Sequence, residues 1–116
     1  MEQFELIICI VNKGFNEQVM DAARECGARG GTVINARGTA SEDLESKFDF
    51  QITPEKEVVL LLVSSDIKED VLHALYQKVG LNSPGQGIAF TLPVDEVVGI
   101  GKKEPKIEEN QEKKEN

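Results

Sequence analysis

The pattern of apolar and polar positions predicts four strands. Residues 4–11 (FELIICIV) and 58–63 (VVLLLV) are apolar at almost every position, which is typical of strands that are covered on both faces. Residues 32–37 (TVINAR) have mixed faces and predict a partly exposed strand. Residues 88–92 (IAFTL), rich in β-branched and aromatic side chains, predict the fourth, and extended chain is expected from Val94 to Ile100 after Pro93.

Two segments between these strands have the period of amphipathic helices. The first is expected to have Asn16 as its N-cap and Gly27 just after its end. Its apolar stripe is Val19, Ala22, Ala23 and Cys26. The second is expected to begin at a capping box formed by Asp66 and Glu69 and to end at Gly80. Its apolar stripe is Ile67, Val71, Leu72, Leu75 and Val79.

The order of these elements is βαββαβ, which predicts an α+β fold of the ferredoxin-like type. Right-handed crossovers place both helices on one face of the sheet. The first and third strands are nevertheless apolar on both faces. Since no other element is available to cover the second face, we expect another copy of the chain to cover it.

Length and charge limit the possible functions. The chain has 116 residues, enough for one domain, and a formal net charge of −8. So acidic a surface repels a phosphate backbone, which argues against nucleic-acid binding. Residues 102–116 contain five lysines and five glutamates with one isoleucine, which predicts a disordered tail after a domain of residues 1–101.

Localisation and metal binding are also indicated by composition. No apolar run approaches the ~20 residues that span a bilayer, and an acid near the N-terminus is unlike a signal peptide. Cys9 and Cys26 belong to no metal-binding pattern and are interpreted as two small buried thiols in a reducing, cytoplasmic compartment. The one histidine, His73, points away from the apolar stripe and is expected to be solvated, so no metal site is predicted.

The segment between the second helix and the last strand is unusually rich in glycine. Gly85 and Gly87 flank Gln86, so their amides could face a common anion such as a phosphate. The alternative is a glycine-capped helix followed by a tight turn, because a single G-x-G is a weak signal.

Three segments together resemble the PII signal-transduction (nitrogen regulatory protein P-II) family. They are residues 27–38 (GARGGTVINARG), 54–62 (PEKEVVLLL) and 85–90 (GQGIAF), and the likeness extends over roughly residues 4–102. The resemblance implies a ferredoxin-like homotrimer that is regulatory and not an enzyme. It implies no cofactor, but a ligand such as AMP, ADP or ATP in clefts between subunits.

The resemblance also implies which residues form the site. The adenine side would carry over to Ile10, Thr32 and the backbone near Leu61, and the phosphate side to Gly38 and the turn of Gly85, Gln86 and Gly87. Residues 38–51 would form the loop that contacts a target protein, either a membrane transporter or a metabolic enzyme. The loop residues expected to make this contact are Ser41, Glu42, Asp43, Leu44 and Phe48.

The chain departs from the family where phosphate is bound. Ile88 stands where the family has a lysine, and Gly99 and Gly101 stand where it has two arginines. Lys102 and Lys103 are candidates to compensate. The loop is shorter than the family's and has no tyrosine. The sequence therefore predicts a divergent PII-like protein whose ligand is open.

Three alternatives remain from the sequence. The first is a ligand-independent oligomeric interaction module. The second is a small acylphosphatase-like enzyme, for which Arg24, Arg29 and Arg37 are present without an evident partner constellation. The third is a CutA-like metal-binding trimer, for which the histidine and cysteine content is poor.

Overall fold

Two helices pack on one face of a four-stranded antiparallel sheet. The computed structural model describes residues 2–39 and 54–100. The elements are β1 (Phe4–Asn12), α1 (Asn16–Glu25), β2 (Thr32–Arg37), β3 (Glu55–Ser64), α2 (Ser65–Lys78) and β4 (Gly87–Val94). The expectations for the loop residues from Ser41 to Phe48 and for the tail of residues 102–116 lie outside the described part of the chain.

The strand order is β2-β3-β1-β4, and every neighbouring pair is antiparallel. In the central pair, Ile10 lies opposite Val58 of β3 and, on the other side, opposite Ile88 of β4. The edge strand β2 places Ile34 opposite Val58. The predicted ferredoxin-like βαββαβ fold is therefore confirmed.

The core lies between the sheet and the two helices. Alternate residues of β1 and β3 point toward the helices and are buried, because both strands are apolar on that face. The fully buried side chains are Ile7, Cys9, Val11, Val19, Ala23, Val59, Leu61, Val71 and Leu75. Burying each large aliphatic side chain contributes about 1.5–3 kcal/mol, so this layer is the main source of stability.

The opposite face of the sheet, here called the open face, is also apolar. Its central residues are half-buried, whereas Ile34, Ile88, Phe90 and Leu92 are 42–59% exposed. The open face consists of Leu6, Ile8, Ile10, Thr32, Ile34, Val58, Leu60, Leu62, Ile88, Phe90 and Leu92. A contiguous apolar surface of this kind is typical of a protein interface.

Both predicted helix starts are wrong, although both predicted ends are confirmed. Phe15 is the N-cap of α1 without any side-chain cap, and Asn16 is already helical, with its side chain bound to Glu57. Ser64 caps α2, since its Oγ accepts a hydrogen bond of 3.2 Å from the Asp66 amide. This extended serine lets β3 pass directly into α2. At the C-terminal ends, the glycines at positions 27 and 80 have positive φ values of 108° and 88°.

Two strand limits and one cysteine also differ from expectation. The third strand begins at Glu55, three residues early, and β4 continues through Pro93 to Val94, beyond which no further strand residue is described. Proline is tolerated there because β4 is an edge strand. Cys9 is buried and its pKa is raised to about 11 by burial, but Cys26 is only half-buried. His73 is exposed, as predicted.

Candidate anion-binding site at the loop end of the sheet

One end of the sheet gathers most of the candidate site residues. At this end β1 finishes, β3 begins, and the connection from α2 enters β4. We call it the loop end, because β2 also ends there at Arg37. The amide of Gly38 donates a hydrogen bond of 2.7 Å to the carbonyl oxygen of Pro54, which closes the 38–54 connection at its base.

The glycine turn has an irregular backbone. After Gly80, the amide of Ser83 donates to the Gly80 carbonyl at 2.9 Å, and φ is +82° at Gly85 and +145° at Gly87. An ideal Cβ on Gly87 would lie 2.4 Å from the carbonyl oxygen of Ile10. Strand pairing alone therefore requires glycine at position 87, whatever its amide binds.

An asparagine connects this turn to a lysine. The Asn12 Nδ2 donates to the carbonyl oxygen of Gly85 at 3.2 Å, and the Lys56 Nζ donates to the Asn12 Oδ1 at 2.6 Å. An ideal Cβ on Gly38 would lie 3.0 Å from the Cε of Lys56, so the lysine stem packs against the first residue after β2. The ammonium group thus lies between the base of the 38–54 connection and the glycine turn.

A buried carboxylate holds the segment that follows Asn12. Glu57, 7% exposed, accepts hydrogen bonds from the amides of Gly14 and Asn16 at 3.0 and 3.1 Å, and two more from the Asn16 Nδ2. The Asn16 side chain is the main reason that the pKa of Glu57 is lowered, and it outweighs the effect of burial. This ionised carboxylate fixes the turn from β1 into α1 on the helix side of the sheet.

The structure separates the predicted ligand residues into groups. Ile10 and Ile88 are paired on the open face, and Gly38, Gly85, Gln86 and Gly87 belong to the loop end. The exposed Thr32 lies on the edge strand, separated from β1 by β3. The Leu61 side chain is fully buried toward the helices, so only its backbone is available to a ligand on the open face.

Sequence reasoning missed Asn12 and Lys56. The sequence does contain a signal for Lys56. Alternation along β3 places Lys56 on the same face as Val58 and Leu60, which is the open face. The sequence Asn12-Lys13-Gly14 directly follows the first predicted strand, where its polar residues and glycine indicate only that the strand ends. Which of its side chains meets the glycine turn depends on the pairing of β1 with β3 and β4.

The opposite end of the sheet contains a cavity of about 450 Å³. Its wall combines apolar side chains with backbone of the α1–β2 connection and one charge of each sign. It is lined by Glu2, Phe4, Gly27, Ala28, Arg29, Gly30, Leu62, Val63, Ser64, Ile67 and Ile100. Phe4 and Asn12 are the two ends of the nine-residue strand β1, so the cavity lies about 26 Å from the loop end of the same chain.

Two further observations bear on chemistry. Across residues 2–39 and 54–100, no group of three or more His, Cys, Asp or Glu side chains is placed to hold a metal ion. None of the helices in that part of the chain is long and apolar enough to cross a membrane.

Comparison with known proteins decides the family. A family model described as nitrogen regulatory protein P-II matches residues 4–104. This chain belongs to the P-II family. Members of the family are regulatory signal transducers, which agrees with the resemblance in the sequence. No curated protein sequence matches the chain at a significant level.

Solved structures of P-II proteins share the fold. Arabidopsis thaliana PII bound to citrate is 27% identical, with a TM-score of 0.65 over 86% of this chain and 82% of that chain. The GlnK–ATP complex of B. subtilis is 16% identical, with a TM-score of 0.66 over 84% and 89%. A PII-like signalling protein from Thermus thermophilus is 18% identical, with a TM-score of 0.60 over 79% and 86%. At these identities the last two support the fold alone.

Proposed function

We propose that this P-II family protein is a cytoplasmic, non-enzymatic homotrimer that binds an adenine nucleotide in clefts between its subunits. The observation that carries the proposal is the link from Lys56 through Asn12 to the glycine turn, beside Gly38. This lysine supplies a positive charge at the turn where the family's usual lysine is replaced by Ile88. Backbone amides and one ammonium group are suited to an anion.

The open face supports the trimer. Ile88, Phe90 and Leu92 are 59%, 42% and 48% exposed in the single chain and continue the apolar surface of β1 and β3. A copy packed on this surface removes it from water, which favours association by about 25 cal/mol for each Å² of apolar area buried. The P-II family is trimeric, and a cyclic trimer satisfies this surface in every subunit.

The relative position of the loop end and the cavity supports a cleft shared between subunits. The loop end offers the cation, and the cavity lined by Phe4, Leu62 and Ile100 offers apolar surface, but they lie at opposite ends of one sheet. A head-to-tail arrangement around a threefold axis can bring the loop end of one subunit to the cavity end of the next. We propose that the phosphate lies at the loop end and that the adenine lies toward the neighbour's cavity, with Ile10 and Thr32 on the adjoining open face.

We propose that the protein controls its target through residues 38–51. The residues proposed to contact the target protein are Ser41, Glu42, Asp43, Leu44 and Phe48. The support is the packing of the Lys56 stem against Gly38, where that segment begins. A ligand that engages the ammonium group of Lys56 therefore acts at the base of the segment. The proposed target is a membrane transporter or a metabolic enzyme.

Calorimetric titration with AMP, ADP, ATP, a cyclic dinucleotide, bicarbonate and citrate tests the proposal. We expect one adenine nucleotide to bind with a stoichiometry of one per chain, and Lys56→Met to weaken it about tenfold or more. The matched control is Lys13→Met, since Lys13 is an exposed neighbour that pairs with Glu55 at 3.6 Å. Equal binding by both variants would contradict the assigned site.

A ligand-independent interaction module is the second candidate. It is favoured by the uncharged side chains at Ile88 and Gly99, where the family binds phosphate. This candidate predicts that the trimer forms but binds none of the titrated compounds. The same titration, performed on protein whose mass has been determined by light scattering, therefore separates the two.

A further inference from the structure

Lys56 is the available cation on the open face of the loop end. Within residues 2–39 and 54–100 Lys56 makes no ion pair, whereas its neighbour Lys13 pairs with Glu55. Arg37 also makes no ion pair within these residues, but its register opposite Glu55 places it on the other face of the sheet. Its ammonium group donates a hydrogen bond to a neutral amide, that of Asn12, so at most two of its three N–H groups remain for a ligand.

Asn12 determines where this ammonium group points. Its Nδ2 is bound to the carbonyl oxygen of Gly85, so its Oδ1 must face the lysine, and only this orientation of the amide satisfies both partners. Asn12 is itself half-buried at the end of β1, next to the segment that Glu57 holds in place. The position of the cation is therefore set by the backbone of the glycine turn.

The surrounding charge does not suit a triphosphate. ATP carries about four negative charges, and even when magnesium cancels part of that charge its β- and γ-phosphate groups need donors of their own. The open face of the described loop end offers one unpaired lysine, with Ile88 and Gly99 in the positions that are basic in the family. Bringing an uncompensated anion into a partly desolvated cleft is costly. A single phosphate group has a charge of about −1.5 to −2 when it is a monoester, which one lysine and several backbone amides can balance.

We propose that Asn12 and Lys56 form a site for a single phosphate group, with Asn12 as the positioning residue, so that the protein selects a nucleoside monophosphate over a triphosphate. This inference rests on the nucleotide-binding function proposed above. It adds the class of ligand and a residue that acts on the ligand only through the lysine.

The test compares adenosine, AMP and magnesium-ATP by calorimetry on the full chain. In the wild type we expect AMP to bind at least tenfold more tightly than adenosine and at least as tightly as magnesium-ATP. Lys56→Met should remove the preference for AMP over adenosine and leave adenosine affinity unchanged. Asn12→Leu should reduce that preference severalfold, and the double variant should equal Lys56→Met, because Asn12 acts through Lys56.

Asn12→Asp tests the same link with a side chain that has the shape of asparagine but a negative charge. Its carboxylate would pair with Lys56 and repel the phosphate, so we expect AMP affinity to fall to that of adenosine. Circular dichroism and light scattering establish that each variant is folded and assembled, and Lys13→Met serves as the charge-matched control. Additive effects of Asn12→Leu and Lys56→Met would overturn the role of Asn12.

Two outcomes separate this inference from the proposed function. If magnesium-ATP binds tenfold or more tightly than AMP, the single-phosphate site is wrong, while the nucleotide-binding function stands. If adenosine, AMP, ADP and magnesium-ATP all fail to bind the wild type, both are wrong.

Discussion

The carbonyl oxygen of Ile10 occupies the space that a side chain at Gly87 would need, because an ideal Cβ there would lie only 2.4 Å from it. Gly87 also has a φ of +145°, a region that other residues rarely adopt. The pairing of β1 with β4 contributes to the open face, and the same pairing requires a glycine at position 87 in the loop end.

Replacing this glycine should destabilise the fold. We expect Gly87→Ala to lower the free energy of unfolding by about 2–3 kcal/mol, since both the contact with Ile10 and the backbone angle oppose it. Gly30→Ala is the control, because Gly30 has open space around its Cα and an ordinary φ. We expect it to change stability by less than about 0.5 kcal/mol. Equal urea midpoints for the two variants would contradict this explanation.

Glu57 should make stability depend on acid pH. Its pKa is lowered in the folded state, so its contribution is fully present above the ordinary glutamate value of about 4.3 and is lost as pH falls through the lower, folded value. We expect Glu57→Gln to lower stability by about 2 kcal/mol at pH 7. Below the folded value of the pKa the difference from wild type should shrink.

The exposed Glu55 supplies the control for that measurement. Its ion pair with Lys13 has an N–O distance of 3.6 Å and both side chains are more than half exposed, so Glu55→Gln should change stability by less than about 1 kcal/mol. A pH-independent difference between Glu57→Gln and wild type would show that the carboxylate's charge is unimportant.

Position 88 should control the preference between nucleotides. Ile88 is 59% exposed in the single chain and lies at the loop end of the open face, so Ile88→Lys does not bury a charge within the subunit, and light scattering establishes that the variant is still assembled. We expect this variant to bind magnesium-ATP about tenfold more tightly than the wild type, with a smaller gain for AMP. Calorimetry measures both. An equal gain in affinity for adenosine, which has no phosphate, would argue against a contact between the introduced ammonium group and phosphate.

The open face should control assembly. Phe90→Glu places a charge in the centre of the apolar surface of β4, where Phe90 is 42% exposed in the single chain, and we expect the trimer to dissociate. Tyr76→Glu is the control, because Tyr76 is 54% exposed but lies on α2, on the other side of the sheet. Sedimentation at micromolar concentration distinguishes the two, and dissociation of both variants would contradict the assigned face.

The fold was predictable because its patterns are local. The apolar faces of β1 and β3 and the glycines that end both helices follow from periodicity, and both were confirmed. The helix starts were not predictable from caps alone. Asn16 has the chemistry of an N-cap, but its amide is used by Glu57, 41 residues away in sequence, and Ser64 caps α2 because β3 continues directly into it.

The candidate site was only partly predictable for the same reason. The glycines of the turn stand out in the sequence, but the contact of Gly87 with Ile10 depends on strand register. The link from Lys56 to Gly85 through Asn12 joins three separate segments of the chain. Alternation along β3 indicates the face on which Lys56 lies, but composition and spacing contain no information about its contact with Asn12, which is evident only in the folded chain.

Mixed trimers test the shared cleft most directly. One parent carries Lys56→Met, which removes the cation of the loop end, and the other carries Gly30→Phe, which fills the cavity at the opposite end of the sheet. Neither parent should bind AMP with wild-type affinity. If each site combines the loop end of one subunit with the cavity end of the next, equal mixing and reassembly should restore wild-type affinity at about a quarter of the sites. If each site lies within one subunit, the mixture will contain no site of wild-type affinity, which would contradict the shared cleft.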